Sequence, residues 1–199
     1  MTVEVVTTGV DREITDHVVS VRTGLGETLA HAVTLTGNTI TLTVLVLMLT
    51  VACALRRHHA EAALVGIGSV TGYAVMVGLK HLFGRARPPV GDRLLHIDSY
   101  SFPSGHAMMS MIVLGLIAVT AYRLSPWVRA HRSILLLAPI WSVVVGCSRV
   151  YLGVHWASDV LGGWLIGAVW VVVWAGIVER LSPRLRSEHQ DVVDRRAGR

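Results

Sequence analysis

GNTITLTVLVLMLTVACAL (37–55) runs for 19 residues without an Asp, Glu, Lys or Arg. As a helix it is about 28 Å long, close to the roughly 30 Å thickness of a bilayer's hydrocarbon core. One such run can be the buried helix of a water-soluble protein. Four more follow, at 62–79, 107–122, 133–148 and 160–178, the shortest of which need flanking residues such as His106 or Val150 to complete a crossing. Apolar residues make up 52% of the 199 residues and the mean hydropathy is +0.56, which leaves too little polar chain to coat five buried helices in water. The expected fold class is all-α: a polytopic transmembrane helical bundle with five predicted spans and an N-terminal amphipathic interfacial helix.

The formal charge of +5 is not distributed as a nucleic-acid footprint, and no nucleic-acid partner is expected. Arginine gathers in alternate gaps: Arg56 and Arg57, then Arg123, Arg129 and Arg132, then six residues from Arg180 to Arg199. The positive-inside rule makes those segments cytoplasmic. The N-terminus, the gap 80–103 and the short gap 149–157 then lie outside, in an integral protein of the cell membrane with a cytoplasmic C-terminus. Lys80, Arg85, Arg87, Arg93 and Arg149 fall on the outer side against that bias, which points to a task other than anchoring.

Three units are expected: 1–36, an amphipathic segment lying on the membrane surface; 37–178, the transmembrane domain; and 179–199, a cytoplasmic tail whose Arg, Asp and Glu content predicts no fixed structure. Between spans, only 81–103 is a long connection, and a loop of that length in a compact bundle is more often functional than not. Gly68 and Gly72, and Gly163 and Gly167, have the spacing that lets helices approach closely in lipid. They are read as packing faces within one chain, with a homo-oligomer through the same faces as the alternative. Cys53 and Cys147 belong to opposite ends of the bundle and imply neither a disulfide nor a metal cluster.

Polar residues with chemical potential cluster at three span ends on the expected outer side: Lys80 to Pro88, Pro103 to His106, and Ser148-Arg149 with His155 and Asp159. Lys80, Arg87 and Arg149 supply permanent cations, the arginines able to clamp phosphate oxygens through paired N–H bonds. Ser104 and Gly105 stand at a helix N-terminus, where unpaired amides favour an anion. His155 and Asp159, four apart, share a helix face, so the carboxylate can accept the Nδ1–H and leave the other ring nitrogen as a nucleophile. His106 is a second imidazole able to move a proton. Each residue also has a plainer reading: Ser104 as a helix cap, Asp159 as a counter-ion, the histidines as interfacial residues. His106, His155 and Asp159 could also bind zinc, but three nearby cations oppose a metal, and neither a metal nor another cofactor is expected.

Together these clusters resemble the signature of the type 2 phosphatidic acid phosphatase superfamily. K-x6-R-P is matched by Lys80, Arg87 and Pro88, P-S-G-H by Pro103 to His106, and S-R-x5-H-x3-D by Ser148, Arg149, His155 and Asp159. The resemblance implies His155 as nucleophile, Asp159 as its orienting partner and His106 as general acid and then base. It also implies Lys80, Arg87, Ser104, Gly105 and Arg149 as phosphate ligands, with no metal. Membrane members of that family commonly have six spans and this chain shows five, so the family's usual orientation of the N-terminus does not carry over.

The expected function is a membrane-embedded phosphatase acting on lipid (di)phosphates through a phosphohistidine, its site on the outer face. Polyprenyl diphosphate, phosphatidic acid and phosphatidylglycerol phosphate all suit a site at headgroup depth. Two alternatives are a non-catalytic lipid-phosphate binder or transporter and an enzyme like the vanadate-dependent haloperoxidases, which share the constellation but are soluble.

Overall fold

The computed structural model describes the backbone of residues 9–197 and side chains up to residue 181. Among the described residues the regular structure is entirely helical. Eight α-helices follow one another: α1 (Gly9–Ser20), α2 (Gly24–Thr36), α3 (Thr39–Leu55), α4 (His59–Phe83), α5 (Gly105–Leu124), α6 (Pro126–Ala130), α7 (Leu137–Tyr151) and α8 (Ala157–Ala197), with 3₁₀ turns at Val90–Asp92 and Arg132–Leu136. Five segments are long and apolar enough to cross a membrane: Gly24–Leu55, His59–Phe83, Gly105–Leu124, Arg132–Tyr151 and Ala157–Leu181.

At the centre stands α5, packed against α3, α4, α7 and α8. Leu64 and Val65 of α4 join Met108, Ile112, Val113 and Leu116 of α5 in a fully enclosed core. Helix α8 can lie directly on the start of α5 because residue 163 is glycine. A Cβ there would stand 2.9 Å from the Ser104 carbonyl oxygen and 3.1 Å from the Met108 nitrogen. The glycine faces are therefore packed within the chain, and this contact sets the distance between the two helix starts that carry His106 and Asp159.

Two boundaries differ from the sequence reading. Segment 1–36, of which 1–8 lie outside the described residues, is not one surface helix. Its second half, α2, is separated from α3 only by Gly37 and Asn38, and the first segment long and apolar enough to cross runs through both, Gly24–Leu55. Both halves of the segment are tied into the bundle: in α2, Thr34 accepts a 2.6 Å bond from Arg149 Nη1 and Thr36 Oγ1 accepts one from Trp141 Nε1. Helix α1 buries two polar residues, Asp11 and Thr15, while Val10 and Ile14 are exposed alongside Arg12, Glu13 and Asp16. At the other end, α8 runs as helix to Ala197 through most of the tail expected to lack structure. Glu179, Arg180 and Leu181 are good helix formers and do not stop it; 198–199 lie outside the described residues.

Candidate active site

The ends of α4, α5, α7 and α8 that meet at one pole of the bundle hold all three polar clusters. Helix α4 stops at Gly84, which takes the left-handed conformation (φ 57°) suited to glycine and returns its N–H to the Lys80 carbonyl. Beyond it, the long loop is tied down rather than free. The Ser101 amide donates to the Arg85 carbonyl (2.8 Å), the Leu94 amide to the Leu152 carbonyl (3.0 Å), and Trp156 Nε1 to the Ala86 carbonyl (3.0 Å). A second turn, between α7 and α8, delivers His155. It needs Gly153 (φ 68°), where a Cβ would meet the Asp92 carbonyl oxygen at 2.2 Å.

Lys80, Arg87, Gly105, His106, Arg149 and His155 all border one cavity of about 750 Å³. Both imidazoles and all three cations thus share a single pocket. Away from the cations the cavity continues between α3, α4 and α5 along Leu42, Val46, Val70, Met76 and Val113, so one cleft has a cationic end and an apolar trough.

Arg87 is held by five contacts: Nε to the Ser99 carbonyl (2.6 Å), Nη2 to Ser99 Oγ and the Tyr100 carbonyl (both 3.1 Å), and Nη1 to the Val154 carbonyl (2.5 Å) and His155 Nε2 (3.1 Å). Burial and the neighbouring Arg93 depress its pKa to about 10 against the opposing pull of Asp159, and it remains a cation at neutral pH. Lys80 Nζ donates to the Tyr100 carbonyl at 2.6 Å. Arg149 spends Nη1 on Thr34, while its buried Nε has no partner.

Because a guanidinium N–H only donates, His155 Nε2 accepts from Arg87, which assigns the ring proton to Nδ1 on the side of Asp159. Burial holds the His155 pKa well below 6.5; the Asp159 hydrogen bond and charge oppose this, and Arg87 and Arg149 reinforce it. The imidazole is neutral. Its contact to Asp159 Oδ2 is long, 3.4 Å, because that oxygen already accepts from Ser101 Oγ (2.5 Å) and the Trp156 amide (2.9 Å).

Ser104 differs from expectation. Its amide, expected to face an anion, donates to the Asp159 carbonyl (3.0 Å) as part of the close α5–α8 approach. What remains is a buried Oγ without a hydrogen-bond partner, making no cap bond to α5. Gly105 and His106 in the first turn of α5 keep amides that have no carbonyl one turn back within the helix. The sequence reading missed Ser101, which bonds Asp159; Thr34, which holds Arg149; and Asp11. It had noted Arg85 only as a misplaced cation, whereas Arg85 Nη1 lies 2.5 Å from Asp159 Oδ1. Ser101, two residues before Pro103, was within reach of motif reading; Asp11 and Thr34 had no local signal. Among the described residues no group of three His, Cys, Asp or Glu side chains is placed to hold a metal ion.

A family profile described as the PAP2 superfamily matches residues 61–183. Phosphatidylglycerophosphatase B of Bacillus subtilis (strain 168) is 38% identical over 104 residues, covering 52% of this chain and 51% of that protein. An undecaprenyl-diphosphatase of Sulfolobus acidocaldarius is 39% identical over 84 residues, covering 42% and 36%. The chain spans about half or less of the length of these curated relatives. Among solved structures, the crystal structure of a transmembrane PAP2 type phosphatidylglycerolphosphate phosphatase from Bacillus subtilis superposes with a TM-score of 0.81 at 29% identity, covering 86% of each chain. LpxE of Aquifex aeolicus, at 21% identity and a TM-score of 0.68 over 87% of this chain and 98% of that one, shares the fold. The matched region contains every residue of the three clusters and more than half of the sequence, and the chain belongs to the PAP2 superfamily.

Proposed function

We propose that this protein is a membrane lipid phosphatase that transfers the phosphoryl group of its substrate to His155 and then to water. The observation that carries the reading is the cleft itself. A cationic pocket containing two histidines opens into an apolar trough reaching from Lys80 to Val70 on α4, a depth of about 15 Å along the helix. Phosphate at one end and hydrocarbon at the other match a phosphorylated amphiphile.

In the first step, the phosphoryl oxygens are gripped by Lys80, Arg87 and Arg149, with the Ser104 hydroxyl and the amides at the start of α5 adding hydrogen bonds. Arg87 turns from His155 Nε2 to the phosphate, which frees that lone pair to attack phosphorus in line. The N–P bond forms, the P–O bond to the lipid breaks, and His106, protonated once the phosphate anion lies beside it, gives its proton to the departing oxygen. Asp159 stabilises the Nδ1–H side of the now cationic ring. In the second step water attacks phosphorus while His106 takes its proton, the N–P bond breaks, and inorganic phosphate leaves. Fixed cations offset the charge that builds on the equatorial oxygens.

Orientation follows from arginine. Arg56, Arg57, Arg123, Arg129 and Arg132 belong to the helix ends opposite the pocket, so the positive-inside rule supports a site on the outer face and a cytoplasmic C-terminus. Polyprenyl diphosphate, phosphatidic acid and phosphatidylglycerol phosphate are the substrate candidates; the relatives' names include activities on both prenyl and glycerol lipids. Phosphate release by the purified protein from a panel of these lipids, compared with His155→Ala, tests the reading. Equal release by both proteins would refute the role of His155, and none by either would refute the phosphatase.

A further inference from the structure

The carboxylate of Asp159 is held from two sides. Toward the pocket, Oδ2 faces His155, Ser101 and the Trp156 amide. Away from it, Oδ1 takes the Nη1 of Arg85, and the Nη2 of the same guanidinium lies 2.7 Å from Oδ2 of Asp11 on α1. Ser158 closes the group. Its hydroxyl accepts from Arg85 Nη1 and donates to Asp11 Oδ2, both at 2.7 Å, and its amide donates to Asp11 Oδ1 at 3.0 Å. All three charged side chains are buried, at 3% exposure or less.

This is an expensive arrangement if it serves only to fasten α1. Buried ion pairs often do no better than apolar residues of similar volume, and Arg85 Nε is left without a partner. The charge balance gives it a purpose. Were Arg85 paired with Asp159 alone, its positive charge would cancel the carboxylate that must stabilise the cationic His155 ring. With Asp11 on the other branch, two carboxylates share one guanidinium, and one negative charge is left over on the group beside His155. Asp11 itself is kept ionised: burial raises its pKa, but the Ser158 hydroxyl and amide and Arg85 outweigh this and lower it.

We propose that Asp11 and Arg85 are positioning residues of the phosphoryl-transfer site, α1 acting through the Arg85 guanidinium to fix the Asp159 carboxylate and keep it anionic against His155. The inference rests on the phosphatase reading. Neither residue borders the substrate cavity, so both act on the chemical step and not on binding.

The test is steady-state kinetics of full-length protein in detergent with whichever lipid phosphate the wild type hydrolyses. Asp11→Asn is expected to lower kcat by on the order of 10- to 100-fold, the scale of an approximately 1 Å misplacement, with KM within about twofold. Asp11→Glu, which keeps the charge, is expected to recover part of the loss. In an Arg85→Met background, Asp11→Asn should cost nothing further. Ser158→Ala, a small change, should lower kcat to a lesser degree and covers the case in which an Asp11 variant does not fold. Unchanged kcat in folded Asp11→Asn or Ser158→Ala, a rise in KM alone, or an equal loss from Asp11→Asn with and without Arg85 would overturn the proposal. An inactive wild type would instead count against the phosphatase reading.

Discussion

Arg87 Nη1 stands 3.1 Å from His155 Nε2, so the guanidinium proposed to grip the phosphate also holds His155 in the Nδ1–H tautomer that the proposed attack requires. A lysine keeps the charge but cannot reproduce the fork that reaches Ser99, Tyr100, Val154 and His155 together. Arg87→Lys is expected to lower kcat/KM by roughly 100- to 1000-fold, the range for losing a positioned donor at a developing oxyanion. Hydrolysis assays on the variant check this; activity within a few-fold of wild type would count against the clamp.

Ser104 offers a test that separates binding from stability. Its buried hydroxyl has no partner, so Ser104→Ala removes an unsatisfied group and should leave thermal stability equal or slightly higher. In the proposed mechanism the hydroxyl turns to an anionic oxygen, a contact worth about 1.5–3 kcal/mol, so inhibition by orthovanadate should weaken by roughly 10- to 100-fold. A large drop in melting temperature with unchanged inhibition would reverse this assignment.

Burial keeps the His155 pKa well below 6.5, and the sign of the consequence is fixed. As pH falls below about 6.5, the unfolded chain takes up a proton at this residue that the folded chain refuses. Stability is therefore unaffected by His155 above that pH and declines below it, until the lower folded value is reached. Melting curves between pH 7.5 and 5, conditions chosen to bracket about one unit either side of that value, should show a shallower decline in His155→Gln than in wild type.

Gly153 shapes the turn that presents His155. Its positive φ, and the 2.2 Å approach of any added Cβ to the Asp92 carbonyl, make Gly153→Ala destabilising by roughly 1–3 kcal/mol or more. A lower melting temperature together with reduced kcat is expected, since the turn and His155 move together.

Hydropathy carried the fold well because lipid demands long uninterrupted apolar helices and leaves few other solutions. The pocket was legible for a related reason. Lys80, Arg87, His106, Arg149 and His155 are costly at span ends, and their types form one chemical set. Composition did not reveal that segment 1–36 divides into two helices, or that Thr34 and Thr36 of the second bond to α7. The Ser104 amide was assigned to an anion because the end of a helix does not reveal which neighbouring carbonyl will claim it. Asp11 and Arg85 meet across 74 positions of chain, and no periodicity encodes such a pairing.

Trapping the intermediate tests the central claim most directly. Wild-type protein is mixed with a radiolabelled lipid phosphate, quenched in base, which preserves phosphohistidine, and digested for mass spectrometry. Label on the peptide containing His155, absent from His155→Ala, is the expected result. Turnover with no labelled histidine at any time point, or label on another residue, would contradict it.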